Sequence, residues 1–319
     1  MYKGSKVAVV VPAYNEELLI GSTLRGIPEF VDFIIIVNDC SKDNTVREAE
    51  KEKESGNVLA EMEIINLEKN SGVGGAIARG YERALEKGAD CAAVMAGDGQ
   101  MDPDDLPALL DPVVSGEAGY SKGNRFFSGE AFRKIPKIRY FGNAVLSLFT
   151  KAASGYWHVA DSQSGYTVIN KKMLSDIDWK KMYRKYGQPN DLLVRLNILN
   201  AKVKDIPVHP VYGIGERSGI KIWKMFFTLP LLLTKLFFWR MTEKYVIRDF
   251  HPLVFFYGLG FLFGAGFIGF AVRLFMLWKS LGHVPPITAL ACMFTFMSSS
   301  LFILFAMWFD MEANRENKC

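Results

Sequence analysis

The chain has no CxxC pair. Its four cysteines, Cys40, Cys91, Cys292 and Cys319, lie in distant contexts, a spacing that offers neither a disulfide framework nor a zinc site and suits a reducing compartment. Excess charge of one sign is also lacking. The formal net charge is +4 over 319 residues, which excludes a general nucleic-acid binder. No secretory leader is expected from the opening residues. The opening MYKGSKVAVVVPAYNEE stops its apolar run at Pro12, too soon for a signal peptide and cleavage site. The first domain is therefore expected in the cytosol.

The rest of the chain is uneven. Half of it is hydrophobic and the mean hydropathy is +0.10, but the apolar residues are split between two regimes. The first two thirds alternate short apolar runs with charged and Gly-rich segments. Val7–Val11, Phe33–Val37, Glu63–Ile65 and Asp90–Met95 read as strands. Leu18–Ile27, a segment from Asp43–Thr45 to about Glu54, Gly75–Leu85 and Asp104–Val114 read as helices. This alternation predicts an α/β domain with a mostly parallel sheet and right-handed crossovers. In such sheets ligands bind at the carboxyl ends of the strands. Beyond residue 125 the pattern is less regular, with helices expected at Tyr140–Ala153 and Asp191–Leu199 and a strand at Tyr166–Ile169.

The last third changes solvent. Leu253–Val272 and Ile287–Phe309 contain no Asp, Glu, Lys or Arg, and about 20 such residues suffice to cross a bilayer core. Trp278 and Trp308 stand near their ends, where interfacial Trp is expected. The short linker KSLGHVPP makes the pair a hairpin, and Lys221, Lys224, Lys235, Arg240, Lys244 and Arg248 crowd the approach to it. By the positive-inside rule both ends face the cytosol. The segment IKIWKMFFTLPLLLTKLFFWRM, interrupted by Pro230, reads as one or two interfacial helices. The expected layout is 1–220 catalytic, 221–250 juxtamembrane, 251–312 membrane hairpin and 313–319 cytosolic tail.

Four segments carry chemistry. In VVPAYNEE, Val10 to Glu17, a strand ends in Pro12, Tyr14 and Glu16, a ring and polar groups suited to a nucleoside. In VNDCSKDNT, Asp39 ends the second strand and suits ribose hydroxyls or a base N–H, while Asp43–Thr45 suit helix capping. In NSGVGGAIARG, Asn70 to Gly80, a Gly-rich turn enters a helix and offers backbone N–H groups to phosphate. It matches neither the P-loop nor G-x-G-x-x-G. In MAGDGQMDP, Met95 to Pro103, Asp98, Gln100 and Asp102 put oxygen donors at alternate positions, the donor type for Mg²⁺ or Mn²⁺.

Taken together, PAYNE, ND-x-S-x-D-N-T and G-D-G-Q resemble the GT-A, Rossmann-like fold of family 2 glycosyltransferases over roughly residues 6–220. KGNR (Lys122–Arg125), DSQSGY (Asp161–Tyr166) and RSGIK (Arg217–Lys221) are similar to the dolichyl-phosphate and polyprenyl-phosphate sugar synthases. The two spans resemble the bactoprenyl glucosyltransferase branch. The resemblance implies Mg²⁺ or Mn²⁺ at Asp98 and Gln100, with Ala96 standing where the family's D-x-D has its first Asp. It implies a nucleotide-sugar held by Pro12, Tyr14, Glu16, Asp39, Gly72, Asp98 and Gly99. It further implies acceptor phosphate at Arg125, Arg139, Arg217 and Lys221, sugar hydroxyls at Asp161 and Gln163, and catalytic roles for Asp98, Arg125 and Asp191.

The implied reaction is inverting transfer of glucose, mannose or N-acetylglucosamine from a UDP- or GDP-sugar to dolichyl or polyprenyl phosphate in a cell or ER membrane. The two-span layout leans to a UDP-sugar, and the chain is open to homo-oligomerisation. A small polysaccharide synthase would carry Q-x-x-R-W, whereas here Trp239-Arg240 stands without that context. An inactive nucleotide-sugar-binding subunit has Ala96 in its favour, and Asp39, Asp98, Gln100 and Arg125 against it.

Overall fold

The computed structural model describes residues 1–56, 58–126, 137–209, 211 and 222–319. Seven strands form one sheet: β1 (Val7–Ala13), β2 (Phe33–Asn38), β3 (Glu61–Asn66), β4 (Cys91–Val94), β5 (Tyr120–Asn124), β6 (Thr167–Asn170) and β7 (Val203–Pro207). Their order is β3-β2-β1-β4-β6-β5-β7. β1 pairs parallel with β2 and β4, and β2 with β3, while β6 runs antiparallel to both β4 and β5. The fold is the mostly parallel α/β sheet expected of a GT-A domain.

The strands read as apolar runs because both sheet faces are covered. Alternate residues point to opposite faces. Ala8, Val10, Ile35 and Val37 pack in one buried cluster with Ala76, Ile77 and Tyr81 of helix α3 (Val73–Glu86). Val7, Val9, Val11, Ile34 and Ile36 pack in the other, with Ile20 and Leu24 of α1 (Ile20–Gly26) and Ala49 of α2 (Thr45–Ser55). Leu106, Leu109 and Leu110 of α4 (Leu106–Val114) join that second cluster. Among the described residues, the further helices before residue 250 are α5 (Lys137–Ser154), α6 (Lys171–Asp176), α7 (Gln188–Ile198) and α8 (Ile222–Thr242).

β5 and β7 escape the sequence reading. YSKGN and VKDIP contain no apolar run, because β5 buries the charged Lys122 and β7 carries Lys204 and Asp205 among its five residues. The helix at α2 begins at Thr45, and its capping acceptor is Asp43, whose Oδ1 accepts the Thr45 N–H at 3.1 Å. Pro230 does not divide α8, which runs unbroken from Ile222 to Thr242.

The chain separates into two compact units, Met1–Phe237 with Glu316–Cys319, and Phe238–Arg315. In the first, the tail lies along the sheet edge: Lys318 bridges Val203 in parallel, and the Cys319 thiol donates to the Glu117 carbonyl at 3.2 Å. In the second, α9 (Leu253–Leu281) and α10 (Pro286–Ala313) are long and apolar enough to cross a membrane, and little of either is buried in protein. Arg240 and Asp310, both 0% exposed, pair through two 2.8 Å hydrogen bonds. Tyr245 donates to the same carboxylate at 2.7 Å. A buried charge pair of this kind holds only with its partners in place.

Candidate active site

Three loops leave the carboxyl ends of β1, β2 and β4, and each bends through a left-handed residue: Asn15 (φ 57°), Cys40 (φ 63°) and Gly99 (φ 68°). Non-glycine residues there cost roughly 1–3 kcal/mol each and cluster at functional sites. Side chains hold the bends. The Asn15 N–H donates to Ser41 Oγ at 3.0 Å, and the Lys42 N–H donates to Asn15 Oδ1 at 2.8 Å. The Glu16 N–H donates to Thr45 Oγ1 at 2.8 Å. After β4, the Gln100 N–H donates to Asp98 Oδ1 at 3.1 Å, folding both oxygen-bearing side chains onto one turn.

A cavity of about 170 Å³ gathers Asp98, Gln100, Met101, Arg125, Gln163 and His209. Four residues singled out from the sequence for separate roles thus share one wall. Tyr14 is 44% exposed and able to stack on a ligand. Glu16 is half-buried, and burial together with the negative charges of Asp98 and Asp43 pushes its pKa up to about 7. The native state therefore holds a proton that the unfolded chain loses near pH 4.5, and stability falls as pH rises between those values. Glu16→Gln is expected to flatten this slope. Apparent melting temperatures of both proteins between pH 5 and 8 check it, with an unchanged slope counting against the assignment.

Arg125 is fixed from below. Its Nε donates to Asp161 Oδ2 at 2.7 Å and its Nη2 to Asp161 Oδ1 at 3.1 Å. Asp161 is 0% exposed and also accepts the Gln163 N–H at 3.2 Å. Asp161 thus holds the guanidinium of Arg125 from beneath. Lys122, fully buried, donates to the Ser164 carbonyl. Burial pushes its pKa down to about 8 against the pull of Asp161 and Asp205. Asp205 accepts the Ala160 N–H at 2.7 Å, and burial pushes it up to about 6. Lys122 and Asp205 escaped notice as site supports because buried charges have no periodic signature. Gln163 stays in the cavity, its amide donating to Ser162 Oγ and Asn190 Oδ1.

Pro12 lies inside β1, paired in register with Val37 and buried. Asp39 is 3% exposed, and its two oxygens accept the Ser71 and Gly72 N–H groups at 2.6 and 2.8 Å. The Gly72 amide is thereby committed, and the Gly74 N–H donates to the Arg184 carbonyl at 2.9 Å. Close packing accounts for the glycines of this turn. A Cβ on Gly72 would meet the Arg184 oxygen at 2.4 Å, and one on Gly74 the Tyr183 oxygen at 2.3 Å. Gly74→Ala must displace the 183–188 segment. An apparent melting temperature lowered by roughly 5 °C is expected, the equivalent of about 1–3 kcal/mol, and an unchanged value would contradict this packing.

Asp191 is 2% exposed and accepts the Tyr183 N–H at 2.8 Å and Arg195 Nε at 3.1 Å. It secures that same segment. Arg217, Lys221 and the side chain of Arg139 lie outside the described residues. A group the sequence reading did not assemble is Asp102, Asp105 and His209, whose ligand atoms lie within 4.8 Å of one another. Asp102 Oδ1 accepts the Asp104 N–H, and Asp105 binds His209 through ring and backbone.

The sheet order, the loops at its carboxyl edge and the acidic turn after β4 define a GT-A nucleotide-sugar transferase architecture. Glucosyl-3-phosphoglycerate synthase from Mycobacterium tuberculosis shares it, with a TM-score of 0.55 and 18% identity over 74% of this chain and 80% of that one. Residues 8–178 match the model of glycosyl transferase family 2, and the chain belongs to that family; it is a glycosyltransferase. It is similar to UDP-N-acetylglucosamine–dolichyl-phosphate N-acetylglucosaminyltransferase of Methanococcus voltae, 31% identical over 71% of this chain and 95% of the relative. It is also similar to undecaprenyl-phosphate mannosyltransferase of Micrococcus luteus, 27% identical over 67% and 88%.

Proposed function

We propose that this chain transfers a hexose, with inversion, from a nucleoside-diphosphate sugar to a dolichyl or polyprenyl phosphate at a membrane. The carrying observation is one cavity lined together by Asp98, Gln100, Arg125 and Gln163. Relatives named for dolichyl-phosphate and undecaprenyl-phosphate acceptors support the reading. UDP-N-acetylglucosamine, the donor in the name of the M. voltae relative, is the first donor to test. The layout follows: residues 1–220 catalytic, 221–250 juxtamembrane, 251–312 a membrane hairpin and 313–319 a tail, with both ends cytosolic.

Asp98 and Gln100 fit a hard divalent cation. Both offer oxygen from one turn, and the carboxyl of Glu16 is raised in part by the charge of Asp98, an excess of negative charge that a cation relieves. The M. tuberculosis neighbour was crystallised with Mn²⁺ and UDP. When bound, the cation neutralises charge on the departing diphosphate. Tyr14 stacks on the base, and Glu16 and Gly99 line the nucleotide's path. Arg125 holds the acceptor phosphate by a charge-assisted contact, with Arg139, Arg217 and Lys221 assigned to the same anion. Gln163 meets the sugar.

Phosphate monoesters have a second pKa near 6, so the attacking oxygen arrives largely ionised. No strong general base is needed, in keeping with the buried, committed Asp191. The chain's work is to hold the phosphate in line with the anomeric carbon and to exclude other acceptors.

The test is a panel of labelled UDP- and GDP-sugars given to the purified full chain with polyprenyl phosphate and Mn²⁺. Label carried into the organic phase from one donor supports the reading. Label that moves only into water-soluble polymer would favour a polysaccharide synthase.

A further inference from the structure

Over Val145–Ser154, helix α5 is built inside out. Toward the protein it presents hydroxyls and small groups: Ser147 is 3% exposed and meets Ser162 Oγ at 3.0 Å. Thr150 is 1% exposed and donates to Asn190 Oδ1 at 2.9 Å, and Ala153 and Ser154 are buried with them. Outward it presents Val145, Leu148 and Phe149, which are 40%, 61% and 59% exposed. A helix of a water-soluble domain has the reverse arrangement, apolar stripe inward and polar face to solvent. Residues at i, i+3 and i+4 share one face, so these three form a continuous apolar ridge. Polar atoms inward and hydrocarbon outward is the arrangement suited to an apolar medium.

Charge identifies that medium. From Ala131 to Ala160 the sequence carries Arg133, Lys134, Lys137, Arg139 and Lys151 and no Asp or Glu. An apolar ridge on a segment of one positive sign is the composition of a helix lying at a membrane with anionic headgroups. The same chain holds two helices able to cross a bilayer, which keeps the catalytic unit near one. We propose that α5 is a second membrane contact, its Val145–Leu148–Phe149 ridge seated at the headgroup–acyl boundary of an anionic membrane. Its inner face reaches the candidate site through Ser162 and Asn190, both bonded to Gln163, so this contact would set the catalytic cavity close to the lipid surface. The inference rests on α9 and α10 being membrane spans; it does not depend on which sugar or acceptor is used.

The test uses the full chain in nanodiscs containing anionic lipid. Cys40, Cys91, Cys292 and Cys319 are replaced, and a nitroxide is attached through Leu148→Cys, with Leu262→Cys in α9 and Leu59→Cys as references. At Leu148→Cys, oxygen is expected to collide with the label several-fold more often than a water-soluble nickel chelate does, as at Leu262→Cys and opposite to Leu59→Cys. Preferential collision with the chelate at Leu148→Cys overturns the proposal. Shielding from both reagents overturns it too, because a second protein copy would then cover the ridge. A water-like signal at Leu262→Cys would instead sink the reading of the spans. The unmodified chain gives a second measurement: a photoactivated diazirine lipid should label peptides spanning 145–149 as it labels α9, and labelling of α9 alone contradicts the inference.

Discussion

Asp98→Ala is expected to lower sugar transfer about 10³-fold, near 4 kcal/mol, the scale of charge stabilisation that a bound cation supplies. The side chain is one of only two oxygen donors assigned to the cation, and Ala96 offers no replacement two residues earlier. The fold should survive, because Asp98 sits in a loop between β4 and α4, outside the strands and helices of the core, where it accepts the Gln100 N–H. Asp102→Ala is the informative comparison. It removes the acceptor for the Asp104 N–H, a capping loss of about 1 kcal/mol, and should leave most of the transfer rate. Equal losses in both variants would move the cation to the Asp102–Asp105–His209 group. Rates over a Mn²⁺ series, set beside apparent melting temperatures, separate these outcomes.

Asp161→Ala is the second large effect, and it acts on stability and rate together. The carboxylate is fully buried beneath Arg125, with Lys122 close behind. Removing one partner of such a pair leaves uncompensated positive charge and costs about 3–5 kcal/mol, or roughly 10 °C in apparent melting temperature. Transfer should fall as well, since Arg125 loses the two contacts that aim its guanidinium. Asp161→Asn keeps an acceptor and should lose less stability than alanine. The pH dependence has a definite sign. Burial alone would raise the pKa of Asp161, but Arg125, with Lys122 adding to it, holds it below the ordinary carboxylate value. The stabilisation is therefore complete above about pH 4 and lost as pH falls through the lowered native value. Acid unfolding of wild type and Asp161→Asn checks this, and superimposable acid limbs would contradict it.

The legible parts of the fold were those with a repeating physical signal. Val7–Val11 and Phe33–Val37 announce buried parallel strands because both faces are covered. α9 and α10 announce themselves by charge-free length. β5 and β7 do not, because their place in the sheet depends on polar groups partnered by residues far along the chain: Lys122 lies near Asp161 and Asp205, and the Asn124 amide donates to Asp205 at 3.2 Å. Site residues divide the same way. Asp98, Gln100, Arg125 and Gln163 sit in loops or at strand ends and line one cavity. Asp39, Asp161 and Asp191 have the right chemistry for a ligand but are buried and bonded to the protein, and burial is not written in a motif. The glycines at 72 and 74 mislead for a related reason. Their need for room is real, but what fills it is the backbone of Tyr183 and Arg184.

The most direct measurement of the central claim is the chemistry of the products. The full chain is incubated with the donor that transfers label and with polyprenyl phosphate, and the lipid product and released nucleotide are both identified. The account predicts a lipid with a single phosphorus, seen as one phosphodiester resonance by ³¹P NMR, formed in equal amount with nucleoside diphosphate. A lipid pyrophosphate with nucleoside monophosphate released, or transfer to polyprenol lacking phosphate, would contradict it.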